Sequence, residues 1–205
     1  MKVWNANVDG REFNCAKINA AALVKPASDV WTRLDGIQRL EIEDEEGVLQ
    51  TLPKQLCGEL PNLESLSLAW TNVRSLPPRL YRLPLRALHI ERNEMRTLDG
   101  VERATNLTVL DVSYNALEVL PDDVGQLTRL EVLNVAGNGV EELPVGIGRL
   151  VRLQVLDCSN NELLSLPQSL GDATQLTTLD ISNNRLGSLP AVSYTHLTLP
   201  TIYSV

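Results

Sequence analysis

The side chains that most often carry out chemistry are sparse in this sequence. Its only imidazoles belong to His89 and His196, and its only thiols to Cys15, Cys57 and Cys158. The cysteines lie far apart, without the short spacing of a zinc site or a paired motif. No set of nucleophile, base and orienting group can be assembled around His89, and no glycine-rich phosphate loop is present. The sequence therefore predicts no enzyme, no cofactor and no metal site.

A second group of side chains suits recognition. Trp70, Arg92 and Tyr114 follow one another at 22-residue steps, and large aromatic and arginine side chains dominate the energetics of protein interfaces. Polar residues recur with similar spacing, which indicates that one structural unit is repeated. The candidate partner-binding residues are Trp70, His89, Arg92, Asp111, Tyr114, Asp157 and Asp180.

The element that must position these side chains is an internal repeat of 22 or 23 residues. Its clearest copies are LTVLDVSYNALEVLP, LEVLNVAGNGVEELP, LQVLDCSNNELLSLP and LTTLDISNNRLGSLP. Two earlier copies, LESLSLAWTNVRSLP and LRALHIERNEMRTLD, fit the same template. A weaker first copy, IQRLEIEDEEGVLQTLP, has two extra residues in its acidic turn and one more before Leu60. Seven copies make coincidence an implausible explanation. The leucine anchors, one per copy, are Leu40, Leu66, Leu88, Leu110, Leu133, Leu156 and Leu179.

Each part of the repeat predicts a local structure. The L-x-L alternation indicates a short strand with its leucines on one face. An asparagine follows the strand in the later copies, where its amide can bond turn backbone. Glu45 and Thr71 replace it in the first two copies, so we expect an imperfect asparagine ladder there. The L-P-x-x-L-G segment predicts a short helical or 3₁₀ segment that leads the chain back to the next strand. One copy alone cannot bury its leucines, whereas stacked copies form a continuous core.

The template L-x-x-L-x-L-x-x-N-x-L-x-x-L-P resembles that of leucine-rich repeat proteins. The "LP" after the turn is similar to the intracellular class of Ras-pathway scaffolds and scribble-like polarity proteins. The segment LDGVERATNLTVLDVSYN lacks it and looks more like repeats of phosphatase regulatory subunits. The resemblance covers 34–190 as seven repeats, the last one truncated. It implies an α/β solenoid: an arc with a parallel sheet on the concave face and short helical or 3₁₀ segments on the convex face.

The resemblance also implies a protein partner. By this resemblance alone, the partner could be a small GTPase or a phosphatase catalytic subunit, and no residue selects between them.

Residues 1–33 do not repeat and are predicted to cap the N-terminal end of the core. Within them, NVDGREF predicts a hairpin turn and CAKINAAALV predicts a short helix. Trp31 is expected to cover the first leucines.

The segment 191–205 breaks the repeat pattern. Back-translated, Val192–Thr201 fits GTC TCT TAT ACA CAT CTG ACG CTG CCG ACG, which resembles the transposon end and adapter used to prepare short-read DNA libraries. We therefore interpret 191–205 as a non-native tail and expect the natural sequence to continue past Pro190. A genuine C-terminal strand is the alternative. For this reason no site is assigned to His196.

Residues that alternate with the leucines are expected on the concave face, with neighbours in one column about 5 Å apart. Trp70 and Tyr114 would then lie roughly 10 Å apart, with His89 and Arg92 between them. These aromatics either form part of a binding site or pack on their neighbours at the rim of the sheet.

The acidic residues of the same face have two interpretations. Asp157 and Asp180 are expected to lie opposite each other, where like charges repel, and such a row would suit a basic peptide. Alternatively, the aspartates reflect the consensus of this repeat type. Charge is also uneven, because residues 61–105 hold seven arginines against five acids, whereas 106–190 hold four against eleven. This asymmetry could orient an elongated partner.

Composition narrows the classes of function. A net charge of −8 argues against a nucleic-acid partner, which requires a basic surface. No run approaches the ~18 consecutive apolar residues of a membrane-spanning helix, and the N-terminal stretch lacks the apolar core of a secretory signal. Widely spaced cysteines favour a reducing compartment. The sequence predicts a cytoplasmic protein without membrane insertion.

These features predict a scaffold that binds a partner protein along its concave face, where a preformed surface limits the ordering cost of binding. The alternative is the recognition module of a larger signalling enzyme or receptor whose catalytic domain lies beyond Pro190. Sequence after Pro190 would separate the two.

Overall fold

The computed structural model describes residues 1–8, 11–24, 30, 34–44 and 46–187. In this part of the chain nine strands form one sheet, and each strand pairs with its neighbours in sequence. The first two strands are antiparallel, and all later pairs are parallel. The strands are β1 (Lys2–Val8), β2 (Arg11–Asn19), β3 (Arg39–Glu43), β4 (Ser65–Ser67), β5 (Ala87–His89), β6 (Val109–Asp111), β7 (Val132–Asn134), β8 (Val155–Asp157) and β9 (Thr178–Asp180).

The leucine anchors set the register of the parallel sheet. From β3 to β9, each anchor leucine is the partner of the anchor on the next strand. Each strand from β4 to β9 has three residues, of which the middle leucine is buried and both flanking residues are partly exposed. This is the alternation that L-x-L predicts. The predicted repeat arc with a parallel sheet is confirmed.

Short helical turns carry the chain back from the end of one strand to the start of the next. Most of them follow an L-P pair, because proline fits the position before a helical turn and its ring presets the backbone. The turn Val101–Arg103 instead follows Gly100, whose φ is 90°. Two four-residue helices are present among the described residues, α1 (Ala21–Val24) and α2 (Leu56–Glu59). The 3₁₀ turns are Leu80–Arg82, Val101–Arg103, Asp122–Gln126, Val145–Arg149 and Gln168–Asp172.

The core runs without interruption between the sheet and these turns. Each repeat contributes its strand leucine, the apolar residue two positions later and the leucines of the turn, and nearly all are fully buried. Burying such side chains is the main favourable contribution to folding, at about 1.5–3 kcal/mol each. Because each repeat packs only on its neighbours, stability is shared along the stack.

A ladder of asparagines closes the turn after each strand. In the later repeats, each asparagine Nδ2 donates to a carbonyl of the preceding repeat and to two carbonyls of its own repeat, and its Oδ1 accepts a backbone N–H from the preceding repeat. Thr71, at the same position, donates one hydroxyl bond to the carbonyl of Leu68. The ladder is therefore weaker at its N-terminal end, as expected. Its members are Asn93, Asn115, Asn138, Asn161 and Asn184.

The N-terminal hairpin extends the sheet past the first repeat. The pairing of Val8 with Arg11 matches the hairpin predicted for NVDGREF. The helix predicted for residues 15–24 was wrong in its first half, because Cys15–Asn19 pairs in parallel with Arg39–Glu43. An open strand edge exposes unpaired backbone groups, and pairing with it outweighs the helix propensity of an alanine-rich segment. Only Ala21–Val24 is helical.

Several sequence predictions fall outside the described residues: the lid at Trp31, the substitution at Glu45, the end of the seventh repeat at 188–190 and the tail at 191–205. Within the described residues, no helix has the length and apolar character needed to cross a membrane.

Candidate functional site

The sheet register gathers the outward-facing residues into columns. The residues that directly follow the anchor leucines are Cα partners of one another from strand to strand, about 4.8 Å apart as parallel strands require. All of them are partly exposed. This central column consists of Glu41, Ser67, His89, Asp111, Asn134, Asp157 and Asp180.

Three of the candidate residues form a cation–π stack just beyond the strands. The guanidinium carbon Cζ of Arg92 lies 4.5 Å from the centroid of the Trp70 ring and 4.4 Å from that of the Tyr114 ring. Trp70 nevertheless keeps 65% of its surface exposed, and Tyr114 keeps 45%. The aromatics thus pack on a neighbour and still offer a large accessible surface. The packing on neighbours agrees with one of the two interpretations raised by the sequence, and the role in binding stays a prediction.

The stack residues occupy an unusual backbone position. Trp70, Arg92 and Tyr114 have φ angles of 59°, 58° and 52°, in the left-handed region, which costs roughly 1–2 kcal/mol for a residue with a side chain. Glycine and asparagine adopt this conformation more readily. Later repeats have these residue types at the equivalent position, also with positive φ: Gly137, Asn160 and Asn183. Three bulky side chains therefore stand where the fold favours small ones.

A second group consists of two residues of the central column, His89 and Asp111, together with Glu91. One ligand atom each from His89, Glu91 and Asp111 lies within 4.8 Å of the other two. The sequence analysis did not group these side chains, because His89 and Asp111 lie 22 residues apart in sequence and meet only as partners on adjacent strands. Sequence reasoning did not select Glu91. The alternation rule, which puts residues i and i+2 on one face, was the signal.

The column aspartates are partly engaged in holding their own turns. The Oδ1 atoms of Asp111, Asp157 and Asp180 each accept the backbone N–H of the residue two positions later, at 2.9, 3.0 and 2.9 Å. This side-chain-to-backbone bond is a local turn interaction and explains why the repeat favours aspartate there. Asp157 and Asp180 are also direct partners across the sheet, so two like charges are opposed. One oxygen of each carboxylate thus has a structural role, and the column remains acidic.

The acidic column is neutralised at its N-terminal end. Lys17 Nζ lies 2.8 Å from Oε1 of Glu41 and 2.6 Å from Oε1 of Glu43. The hydrogen bond to Glu41, and to a smaller extent the one to Glu43, raises the pKa of Lys17 to about 12. Sequence analysis missed this contact because it predicted a helix where β2 brings Lys17 opposite Glu41. The unneutralised acids of the column therefore lie in the later repeats.

The cysteine thiols lie partly or fully buried in the core. Cys158 is fully buried, and burial raises the pKa of its thiol well above the ordinary range. Cys57 is partly exposed, and partial burial likewise raises the pKa of its thiol. A high thiol pKa disfavours the reactive thiolate, which agrees with a structural role for Cys158.

Two family models match parts of the chain. A model described as two copies of leucine-rich repeats matches residues 151–194, and a model of a single leucine-rich repeat matches residues 106–127. No curated protein matches the sequence.

Solved structures with the same architecture cover most of the chain. An internalin (inlF) from Listeria monocytogenes is 22% identical with a TM-score of 0.64, over 78% of this chain and 46% of that one. A leucine-rich repeat protein of Leptospira interrogans is 25% identical with a TM-score of 0.63, over 86% and 49%. A chain of the Drosophila Toll–Spatzle complex is 24% identical with a TM-score of 0.67, over 80% and 23%. The chain thus spans less than half the length of each.

These matches agree with the strand order, the leucine register and the asparagine ladder. Leucine-rich repeats generally mediate protein–protein interaction, and neither family model indicates an enzyme. Two stretches of the chain match leucine-rich repeat models, and the described residues fold as an open parallel-sheet repeat arc like that of leucine-rich repeat solenoids. This fold typically serves as a non-catalytic protein-binding module.

Proposed function

We propose that this protein is a scaffold that binds a partner protein on its concave side, with Trp70, Arg92 and Tyr114 at the centre of the contact. The observation that carries the proposal is that three large side chains occupy left-handed positions at which later repeats have glycine or asparagine. The fold does not need bulky residues there, and their backbone conformation is unfavourable. Strain of this kind is concentrated at functional sites.

The residue types and their exposure support the same proposal. Tryptophan, tyrosine and arginine are the types enriched among interface hot spots. The two rings hold the arginine between them, so less side-chain freedom is lost when a partner binds. The Asp157 and Asp180 pair, at the other end of the face, supplies a negative surface that would favour a basic segment of the partner and speed association. A small GTPase or a phosphatase catalytic subunit is the partner class that the repeat type suggests.

The test uses substitutions that should remove the stack without unfolding the protein, because the introduced residue type already occurs at equivalent positions. Trp70→Asn and Tyr114→Asn place asparagine where Asn160 and Asn183 adopt the same positive φ, so the double variant should stay folded. Val145→Asn, at an exposed position in a 3₁₀ turn away from the sheet, is the matched control. Purified small GTPases and phosphatase catalytic subunits are titrated against immobilised wild-type and variant chains.

We expect a protein that binds the wild type and the Val145→Asn control to bind the double variant at least about tenfold more weakly, as hot-spot truncation does. If every binder retains its affinity for the double variant, the stack is not the contact centre and the proposal fails. Thermal unfolding of all three chains, followed by circular dichroism, verifies that loss of binding does not come from loss of structure.

A further inference from the structure

We propose that His89, Glu91 and Asp111 form a binding site for a divalent transition-metal ion, with Zn²⁺ as the best-suited occupant. Among the described residues, these three bring one imidazole nitrogen and two carboxylate oxygens within 4.8 Å of one another. Imidazole with carboxylates is a donor set that zinc uses in proteins, whereas Mg²⁺ and Ca²⁺ prefer oxygen donors alone. Three protein ligands would leave a coordination position open towards the concave side.

The backbone holds the three donors on one side of the sheet. His89 is the last residue of β5, and Glu91 follows two residues later. Asp111, on β6, is the direct partner of His89 across the strand pair. In a tetrahedral Zn²⁺ site with metal–donor distances of about 2.1 Å, two donor atoms lie roughly 3.4 Å apart. The donor atoms of the three residues now lie at most 4.8 Å apart, so no donor–donor distance has to shorten by more than roughly 1.4 Å. Rotations of the side chains supply movements of this size.

The Glu91 carboxylate has an oxygen atom, Oε2, whose burial is not compensated by a hydrogen bond among the described residues. This is a costly arrangement for a carboxylate oxygen. Glu43, at the equivalent position in the first repeat, forms an ion pair with Lys17 at 2.6 Å. The neighbouring Arg92 has its guanidinium between the two aromatic rings of the stack. A metal ion would compensate the Glu91 carboxylate as Lys17 compensates Glu43.

The Asp111 carboxylate is held in place by its neighbours. Its Oδ1 accepts hydrogen bonds from the backbone N–H and the hydroxyl of Ser113, at 2.9 and 2.6 Å, and its Oδ2 accepts one from Nδ2 of Asn134 at 3.0 Å. Each carboxylate oxygen has two acceptor sites, so Oδ2 retains one for a cation. Hydrogen bonds of this kind orient metal ligands in known sites. With a neutral imidazole, the cluster carries two negative charges, which a divalent ion balances.

The experiment titrates ZnCl₂ into the untagged full chain by isothermal calorimetry, after treatment with EDTA and its removal. His196→Gln and Cys57→Ser are introduced throughout, so that His89 is the only imidazole and the partly exposed thiol is absent. The ¹⁵N resonances of the remaining imidazole are recorded in parallel. We expect uptake of one Zn²⁺ per chain with a shift of the His89 imidazole resonances, and no such shift with MgCl₂.

Matched variants locate the ion. His89→Gln and Glu91→Gln should each weaken Zn²⁺ binding by at least about tenfold, since even second-shell changes have effects of that size. Glu43→Gln and Asp157→Asn should bind as the parent chain does. Glu43 and Asp157 are equivalent to Glu91 and Asp111, but their strand partners are Asn19 for Glu43 and Asn134 and Asp180 for Asp157, none of them a histidine. Absence of Zn²⁺ uptake, uptake without a change at the His89 imidazole, or equal binding by the Glu91→Gln chain would each overturn the proposal. Circular dichroism verifies that the variants fold, and the imidazole measurement requires no substitution in the site.

Discussion

The ring of Tyr114 lies over Gly137 of the next repeat, where a Cβ atom would stand 2.5 Å from the ring atom Cδ1. The missing side chain at Gly137 therefore gives Tyr114 the room to pack against Arg92, whose Cζ lies 4.4 Å from the ring centroid. The cation–π stack thus depends on a glycine in the repeat that follows Tyr114.

Replacing Gly137 with asparagine should disturb the stack and leave the backbone intact. Asparagine can adopt the positive φ of 66° found at this position with little strain, but its Cβ atom would displace the Tyr114 ring. We expect a loss of about 0.5–1 kcal/mol of coupling, the size of an exposed cation–π contact. Urea unfolding of a double-mutant cycle with Tyr114→Asn measures it, and full additivity of the two substitutions would contradict the prediction.

Asn138 should be among the most sensitive polar residues of the fold. Its Nδ2 donates to the carbonyls of Val112, Val135 and Ala136, and its Oδ1 accepts the N–H of Leu117 at 3.0 Å. Asn138→Ala leaves these groups without partners, at a cost of about 3 kcal/mol in the free energy of unfolding.

Chemical denaturation of Asn138→Ala measures this cost, with Asn106→Ala as its control. Asn106 is exposed, and its Oδ1 accepts a hydrogen bond from the side chain of Arg129, so the loss of stability should stay within about 0.5 kcal/mol. Equal effects of the two substitutions would mean that the ladder contributes no more than an exposed hydrogen bond.

The 3₁₀ turns pack so closely that a methyl group is not tolerated at Gly146. A Cβ atom there would collide with the backbone carbonyl oxygen of Asp122 in the preceding turn. Gly146→Ala should lower the free energy of unfolding by about 1–3 kcal/mol, since backbone must move. In Gly58→Ala nothing lies within 4 Å of the new atom, so its melting temperature should stay at or above that of the wild type. A Gly146→Ala chain as stable as the wild type would show that the turns can separate freely.

Thiol labelling should distinguish Cys57 from Cys158. Burial raises the pKa of both thiols, so at pH 8 each has less thiolate than a free cysteine, and the labelling rate of Cys57 should keep rising as pH passes the ordinary thiol pKa of about 8.5. Iodoacetamide pulses followed by mass spectrometry should modify Cys57 in the native protein and Cys158 only after unfolding. Rapid native labelling of Cys158 would indicate that the repeat around it opens.

The repeat spacing was sufficient to predict the sheet and much of its surface. From Leu66 onwards the leucine anchors are 22 or 23 residues apart. They can share one core only if consecutive strands pair leucine to leucine, which is the register observed. The same spacing brings residues at 22-residue steps, such as Trp70 and Arg92, to neighbouring positions. A one-dimensional stack makes sequence distance a measure of spatial distance.

Other features were decided only by the tertiary structure. The strand at Cys15–Asn19 forms by pairing with the edge of β3, whose backbone groups would otherwise lack hydrogen-bond partners. No local pattern in this alanine-rich segment predicts that pairing. The left-handed backbone of Trp70, the room that Gly137 leaves for Tyr114 and the unpartnered oxygen of Glu91 depend on contacts between repeats. The sequence by itself determined which residues share a face, because strand periodicity is local. Their orientation, burial and pairing were determined by packing against residues 20 or more positions away.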